Sequence, residues 1–433
     1  MTFGIAVGVG NTIGTGILRT PGEVAGYLGS ASLLFVVWTL GGVYALFGSS
    51  SLTELGVMLP KAGGWYVYSH RAFGERIGFV VGCCDFVVQS VAIAYLSVAM
   101  GEFTAGLFPA LAGHVRLIAV AGLAFLAFLN WIGLRAGSRA QELTSLAKAL
   151  GLMALVVACF TISPNASASL STVVSNLLGP KPGLFLGLVL ALQGVIITYD
   201  GWYAPIYFVE EDLDPAHNLP RSMIGTTLSC IVIFLLMNAG MYHVLGMSHL
   251  AASQMPAADA AMLIFGRHGQ QFILLISLVA VISSINAGLL YVPRILFAMA
   301  RDRLLPRGVT SVNKGGTPSL SLFLCTLASA ILVLTGTFDT LIAMGSILFV
   351  AVYLSGFISL LVLRRKEPQL PRPYKVWCYP WGPLAICLAS AAFLVGSVLG
   401  DLKDSLFTLI LIFLTYAASL PIVRKKHSDR LEV

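Results

Sequence analysis

The chain has 433 residues, of which 57% are hydrophobic and only 10% are charged, against roughly 25% charged in an ordinary soluble domain. That balance excludes a soluble domain, a disordered chain and a disulfide scaffold. With about 20 apolar residues per crossing, the composition fills roughly twelve spans and points to a membrane transporter or channel.

In chain order, twelve apolar segments run at about 3–27, 31–56, 76–103, 115–134, 140–163, 183–208, 222–246, 270–298, 318–336, 338–363, 380–399 and 404–423. Runs of this length without dyad alternation are helices, not barrel strands. The fold class is therefore all-α and polytopic, with about 12 transmembrane helices in one integral membrane domain. The first stretch lacks the basic lead-in and small-residue cleavage site of a signal peptide.

Charge sets the topology. With the N-terminus inside, 21 of the 26 lysines and arginines fall on the cytoplasmic side and five fall outside; without Lys148 and Arg294, which sit within or at the edge of helices, the count is 19 against five. The positive-inside rule then places both termini in the cytoplasm. The net charge of +7 is a topology signal, and no nucleic acid partner is expected. The seven cysteines are odd in number, lie mostly in apolar runs and have no zinc spacing, so they read as buried structural thiols. No metal or cofactor is expected.

Two segments are interrupted. The first contains Gly8-Val9-Gly10-Asn11-Thr12-Ile13-Gly14-Thr15-Gly16, too glycine-rich for a continuous helix in lipid. The sixth contains Thr198-Tyr199-Asp200-Gly201-Trp202, with Pro205 just after. Unwound backbone at membrane depth is tolerated only where it lines a cavity, and an acid there is costly. Breaks five helices apart predict two five-helix inverted repeats around a midplane site. The repeats would cover about 1–163 and 183–363, a transport core of 1–363, with helices 11 and 12 and a cytoplasmic tail in 364–433.

These residues carry a resemblance. Thr12-Ile13-Gly14-Thr15-Gly16-Ile17-Leu18 resembles the Gly-Ser/Thr-Gly signature of the amino acid–polyamine–organocation superfamily. Ile197-Thr198-Tyr199-Asp200-Gly201-Trp202, with Val209-Glu210-Glu211 and Asn218-Leu219-Pro220, resembles helix six and the following loop of its L-type amino acid transporter branch. Pro60-Lys61-Ala62-Gly63-Gly64-Trp65-Tyr66-Val67-Tyr68 is similar to that family's loop before helix three, and Ala300-Arg301-Asp302 with Leu305-Pro306 to its loop after helix eight. The resemblance implies the leucine-transporter fold, with helices 1 and 6 broken, and an amino acid substrate. The animal light chains use a cysteine between helices three and four to bond a heavy chain. Glu102 to Arg116 holds none, so a disulfide-linked heavy chain is not implied. Relatives usually carry a tail before helix one; here only about a dozen residues precede the break, which leaves room for an upstream start.

A zwitterion needs an anion site and a cation site. Free amides around Ile13, Gly14, Thr15, Gly16 and Ile17, at the positive end of a half-helix, with the Thr15 hydroxyl, are the expected carboxylate site. A packing role for the small residues is the alternative. Carbonyls at Ile197, Thr198 and Tyr199, before Gly201, are expected to accept from the ammonium. Asp200 either braces the break or meets a polar substrate group. Many L-type relatives carry an aromatic cap at position 197, where this chain has isoleucine.

Lys148 aligns with the family lysine that stands in place of a sodium ion. Its ammonium would tie helix five to helices one and eight and is a candidate coupling group; the alternative is snorkelling to the surface. Ser283, Ser284 and Asn286 either face the cavity or bond across helices. Asp85, within helix three and one turn before Gln89, is an intramembrane acid without a transferable role, and a proton relay is one reading. Glu54 and Glu102 read as solvated helix-end acids. Asn165-Ala166-Ser167 fits a glycosylation sequon.

The expectation is a secondary transporter that moves amino acids by alternating access across a plasma or bacterial inner membrane, as antiporter or proton-coupled symporter. The rivals are a polyamine or amine permease of the same superfamily and a non-transporting amino acid sensor. An enzyme is the weakest reading, because no metal motif, nucleophile elbow or phosphate loop is present.

Overall fold

The helix breaks organise the molecule. The computed structural model describes residues 2–162, 183–336, 338–400 and 402–431; the 165–167 sequon lies outside them. The first apolar run is split into α1 (Thr2–Thr12) and α2 (Gly16–Leu28), and α2 ends where Gly29 takes φ 62° and donates its N–H to Ala25. Next come α3 (Ala31–Met58), α4 (Trp65–Phe73), α5 (Glu75–Leu107), α6 (Val115–Ile132) and α7 (Leu134–Thr161). Helix α8 (Leu184–Thr198) stops at the second break and continues, after a turn, as a 3-10 segment, Ala204–Glu211. The rest comprises α9 (Pro215–Ala252), α10 (Pro256–Phe265), α11 (Arg267–Arg301), α12 (Ser319–Thr335), α13 (Phe338–Lys366), α14 (Trp381–Gly400) and α15 (Leu402–Leu431).

Among the described residues eight helices are long and apolar enough to cross a bilayer, and shorter apolar helices include Leu184–Thr198 and Ser319–Thr335. Pairing outside helices is limited there to an isolated bridge between Val312 and Pro318. Leu117, Phe125, Leu143, Leu388 and Phe413 project outward, an apolar surface suited to lipid and too large for water. The chain is an all-helical, multi-pass membrane protein.

Two helices lie outside the expected segments. α4 and α10 have 9 and 10 residues, about 15 Å at ~1.5 Å per residue, half a bilayer core. Helix α9 begins at Pro215, where proline suits a helix start, and runs past a kink at Gly246 (φ 66°).

Helix α5 packs along α11, α13, α4, α6 and α15, while α1 lies against α9 and α7, and α2 against α8 and α9. An aromatic cluster ties α4, the second break and α13 together: Trp65 stacks on Tyr353 at 5.1 Å and meets Tyr203 at 5.7 Å.

Two expectations are corrected. Glu54 is fully buried, not solvated: its carboxylate takes bonds from Arg364 (2.5 and 2.7 Å) and the Val376 N–H (2.7 Å), with Arg372 at 3.3 Å. Its partners lie more than 300 residues away, out of reach of any local reading. Cys378 is exposed, while Cys84, Cys159, Cys230 and Cys325 are buried.

Candidate functional site

The two breaks interlock. Gly201 has φ 112°, and a Cβ there would lie 2.7 Å from the Asn11 carbonyl carbon and the Thr12 nitrogen, so only glycine fits both the backbone and the space. Asn11 Nδ2 donates to the Gly201 carbonyl at 3.3 Å. A Cβ on Gly16 would lie 2.9 Å from Thr198 Cγ2, so α2 and α8 also touch through a glycine. There the Thr198 hydroxyl lies 2.9 Å from that of Thr20 and donates to the Gly194 carbonyl at 2.8 Å.

Beside this crossing is a cavity of about 430 Å³, within the usual range for small-molecule sites. The first break supplies Asn11, Thr12, Gly14, Thr15 and Gly16, and the second supplies Ile197, Thr198 and Asp200. Gln89, Tyr95 and Leu96 come from α5, and Ser284 and Tyr291 from α11. Arg19, Glu23 and Gln193 line it further along α2 and α8, and α14 adds Phe393 and Ser397.

The polar ends of the broken helices are available at this cavity. The first N–H groups of a helix have no partner within it. The Gly14 N–H goes to the Thr12 carbonyl and that of Leu18 to Thr15. Among the described residues no backbone bond outside the helix engages the amides of Thr15, Gly16 and Ile17. At the end of α8 the Ile197 carbonyl accepts from the Asp200 N–H at 3.1 Å, whereas those of Thr198 and Tyr199 take no such donor among the described residues. The Asp200 carboxylate faces the Gly201 backbone and the Tyr203 hydroxyl, yet among the described residues its buried Oδ1 has no hydrogen-bond partner. The site thus offers free donors on one break and free acceptors on the other.

Lys148 is wholly buried and does not snorkel. Its Nζ donates to the carbonyls of Gly10 (2.5 Å) and Ile13 (2.6 Å), acceptors that the break in helix one leaves without an in-helix partner. Ser284 adds a bond to the Gly10 carbonyl at 3.0 Å. Ser283 joins a second layer: it lies 3.2 Å from both Ser145 Oγ and Gln141 Nε2, and Ser145 donates to the Ala6 carbonyl at 2.8 Å. Asn286 donates to Gln141 (2.9 Å) and to the Gly137 carbonyl (3.1 Å) and accepts from Asn130 (2.8 Å). Ser283 and Asn286 therefore bond across helices, and Ser284 is the one that reaches the cavity.

Other expected site residues do not line the cavity. The Ile13 and Ile17 side chains are fully buried in the core. The Tyr199 ring packs on Trp38 and Phe234, at 5.9 and 4.9 Å, away from the cavity, and Gly201 abuts Asn11 rather than lining it. The sequence reading missed Asn11, Tyr95, Gln193, Tyr291, Phe393 and Ser397. Asp85 and Gln89 do form a legible signal, since polar groups four residues apart on an apolar helix mark one inward face.

The sequence pattern of the amino acid permease family matches residues 1–416. The serine/threonine exchanger SteT of Bacillus subtilis is 27% identical over 404 residues, covering 92% of this chain and 90% of that protein. The large neutral amino acids transporter small subunit 2 of Mus musculus is 30% identical over 391 residues, covering 85% of this chain and 70% of that protein. The Asc-type amino acid transporter 1 of Mus musculus is 28% identical over 375 residues, with the same coverage. With helices broken at a shared cavity and a family match across nearly its whole length, the chain belongs to the amino acid permease family and is a secondary amino acid transporter of the L-type-like branch.

Proposed function

We propose that the cavity between the two breaks binds the backbone of a neutral amino acid and that the chain carries it by alternating access. The observation that carries this reading is the pairing of free amides at Thr15 and Gly16 with the free carbonyl of Thr198 across one cavity. The amides and the Thr15 hydroxyl hold the carboxylate. The Thr198 carbonyl, with the orphaned Asp200 Oδ1, holds the ammonium. The relative that exchanges serine and threonine and the polar lining favour small polar side chains. Ile197, in place of an aromatic cap, leaves that wall aliphatic.

The same reading takes about twelve spans, with helices one and six broken, inverted repeats at about 1–163 and 183–363, and a peripheral 364–433. The basic residues support cytoplasmic termini in a plasma or bacterial inner membrane. The cavity then opens away from the cytoplasm, along Arg19, Glu23 and Gln193. Lys148 fills the place of a coupling cation, so transport runs without sodium. No heavy-chain disulfide and no cofactor enter the scheme.

The test is uptake of a labelled neutral L-amino acid mixture into proteoliposomes, empty or preloaded, with and without an inward pH gradient. Uptake confined to loaded vesicles gives obligatory exchange; uptake into empty vesicles driven by the gradient gives proton symport. Silence in every condition sinks the neutral amino acid reading. Because Asp200 and Glu23 both line the cavity, an amine substrate is the second reading. Competition by carboxyl-blocked amino acids separates the two, since an amine makes no use of the amides on helix one.

A further inference from the structure

Asp85 and Gln89, one turn apart on α5, are both buried, and nothing in the substrate scheme uses the acid. Tyr207 OH donates to Asp85 Oδ2 at 2.7 Å, and Gln89 Nε2 reaches Asp85 Oδ1 at 3.2 Å and the Tyr203 hydroxyl at 2.8 Å. Tyr291 OH donates to Gln89 Oε1 at 2.7 Å, and its ring stacks on Tyr207 at 4.9 Å. One turn of α5 therefore binds three tyrosines, two of them at the 3-10 segment that follows the second break.

That segment is a partition. Gln89 and Tyr291 line the central cavity. Pro205 and Phe208, from the same stretch as Tyr207, line a second cavity of about 410 Å³ together with Phe3, Gly4 and Glu211. Tyr203 and Tyr207 are fully buried; Tyr203 bonds Gln89 of the central cavity, and Tyr207 lies in the chain between Pro205 and Phe208 of the second. A solute passing from one cavity to the other requires the segment to leave α5, and the bond it must give up there is the one from Tyr207 to Asp85.

We propose that Asp85, through its bond to Tyr207, latches the 3-10 segment across the route between the two cavities, and that Gln89 and Tyr291 couple occupancy of the central cavity to that latch. Asp85 is a positioning residue: it touches no substrate and sets which side the site faces. A ligand against Gln89 and Tyr291 competes for the groups that hold the tyrosine layer, so binding biases the latch. The inference rests on the transport reading above.

The experiment uses the full chain in right-side-out and inside-out membrane vesicles. The probe is whichever labelled neutral amino acid the unaltered protein takes up fastest from the mixture. Tyr207→Phe deletes only the hydroxyl and keeps the stacked ring; Asp85→Asn replaces the carboxyl by a weaker amide acceptor. Loosening the latch shifts the resting population toward the other side. The apparent KM on the central-cavity side should rise about tenfold and that on the opposite side fall by a similar factor. The double variant should match Tyr207→Phe, because that substitution alone already removes the bond, whereas Asp85→Asn leaves an amide oxygen to accept it more weakly. A merely structural role lowers the amount of active protein and leaves both KM values in place. Unchanged KM values, or values that move together on the two sides, overturn the latch. Failure of the unaltered protein to transport any probe overturns the transport reading itself, and the latch with it.

Discussion

The Lys148 ammonium lies 2.5 Å from the carbonyl oxygen of Gly10, 138 residues away in the chain, and 2.6 Å from that of Ile13. A break in a membrane helix orphans carbonyls that lipid cannot satisfy, and a buried cation is costly unless it finds acceptors. Each liability offsets the other, and the contact pins α7 to the unwound segment beside the cavity.

Lys148→Met keeps the aliphatic stem and removes the donor. Ser284 still serves Gly10, but Ile13 loses its partner, and a buried unmet carbonyl costs about 1–3 kcal/mol. The thermal unfolding midpoint in detergent should fall, and uptake per folded molecule should fall with it. An unaltered midpoint together with unaltered uptake would remove Lys148 from both roles.

The glycines of the two breaks separate binding from folding. A Cβ on Gly14 meets nothing nearer than Ser284 Oγ at 4.0 Å, so Gly14→Ala should leave the midpoint near that of the parent. Because the methyl enters the cavity beside the free amides, KM should rise. Gly201→Ala forces a side chain onto φ 112° and into Asn11 and Thr12 backbone at 2.7 Å, a strain of at least about 1–3 kcal/mol. Its signature is a lower midpoint. The proposed placement of the amides fails if Gly14→Ala melts the protein without touching KM.

How much of this was readable in the chain follows from how local each signal is. The glycine cluster, Asp200-Gly201 and Lys148 announce themselves because glycines, an acid or a lysine inside an apolar run have few structural explanations. Asn11 and Tyr291 meet across 280 residues, and nothing near either says so. Phe393 and Ser397 reach the cavity because α14 packs along α3 and α8, a matter of helix crossing rather than pattern. Helices α4 and α10 escape a search tuned to spans of about 20 residues. Glu54 was misread because an acid near a helix end is ordinarily solvated, and only the tertiary fold brings Arg364 and Arg372 to it.

That buried Glu54 site makes its own prediction. Glu54→Gln leaves two guanidiniums, half-buried to buried, without their countercharge, and breaking a buried pair from one side costs roughly 3–5 kcal/mol. The connection from α3 to the end of α13 and the following loop should loosen, with a clear drop in unfolding midpoint. Glu54 does not line the cavity, so KM of the surviving protein should stay at the parent value. A shifted KM at full stability would mean that this contact works in transport rather than in holding the scaffold.

Glu210, at the end of the 3-10 segment and beyond the apolar run, binds Arg301 at 2.5 and 3.0 Å and accepts the Ala62 N–H at 2.7 Å. The Arg301 hydrogen bonds hold its carboxyl below the ordinary carboxylate range, with partial burial opposing and the Ala62 N–H adding to the effect. A depressed folded-state pKa stabilises the contact at every pH above the ordinary carboxylate value, and the gain disappears as pH falls through the lowered one. Closure of this face by Glu210 should therefore be constant from about pH 5 to 8 and weaken only below about pH 4. Hydrogen exchange at the Ala62 amide, corrected for its intrinsic rate, reads this directly. Protection should persist to pH 5 and fall at lower pH, and Glu210→Gln should flatten that fall. Loss of protection between pH 5 and 8 would assign the closure to another group, and any pH dependence of uptake in that window should survive Glu210→Gln unchanged.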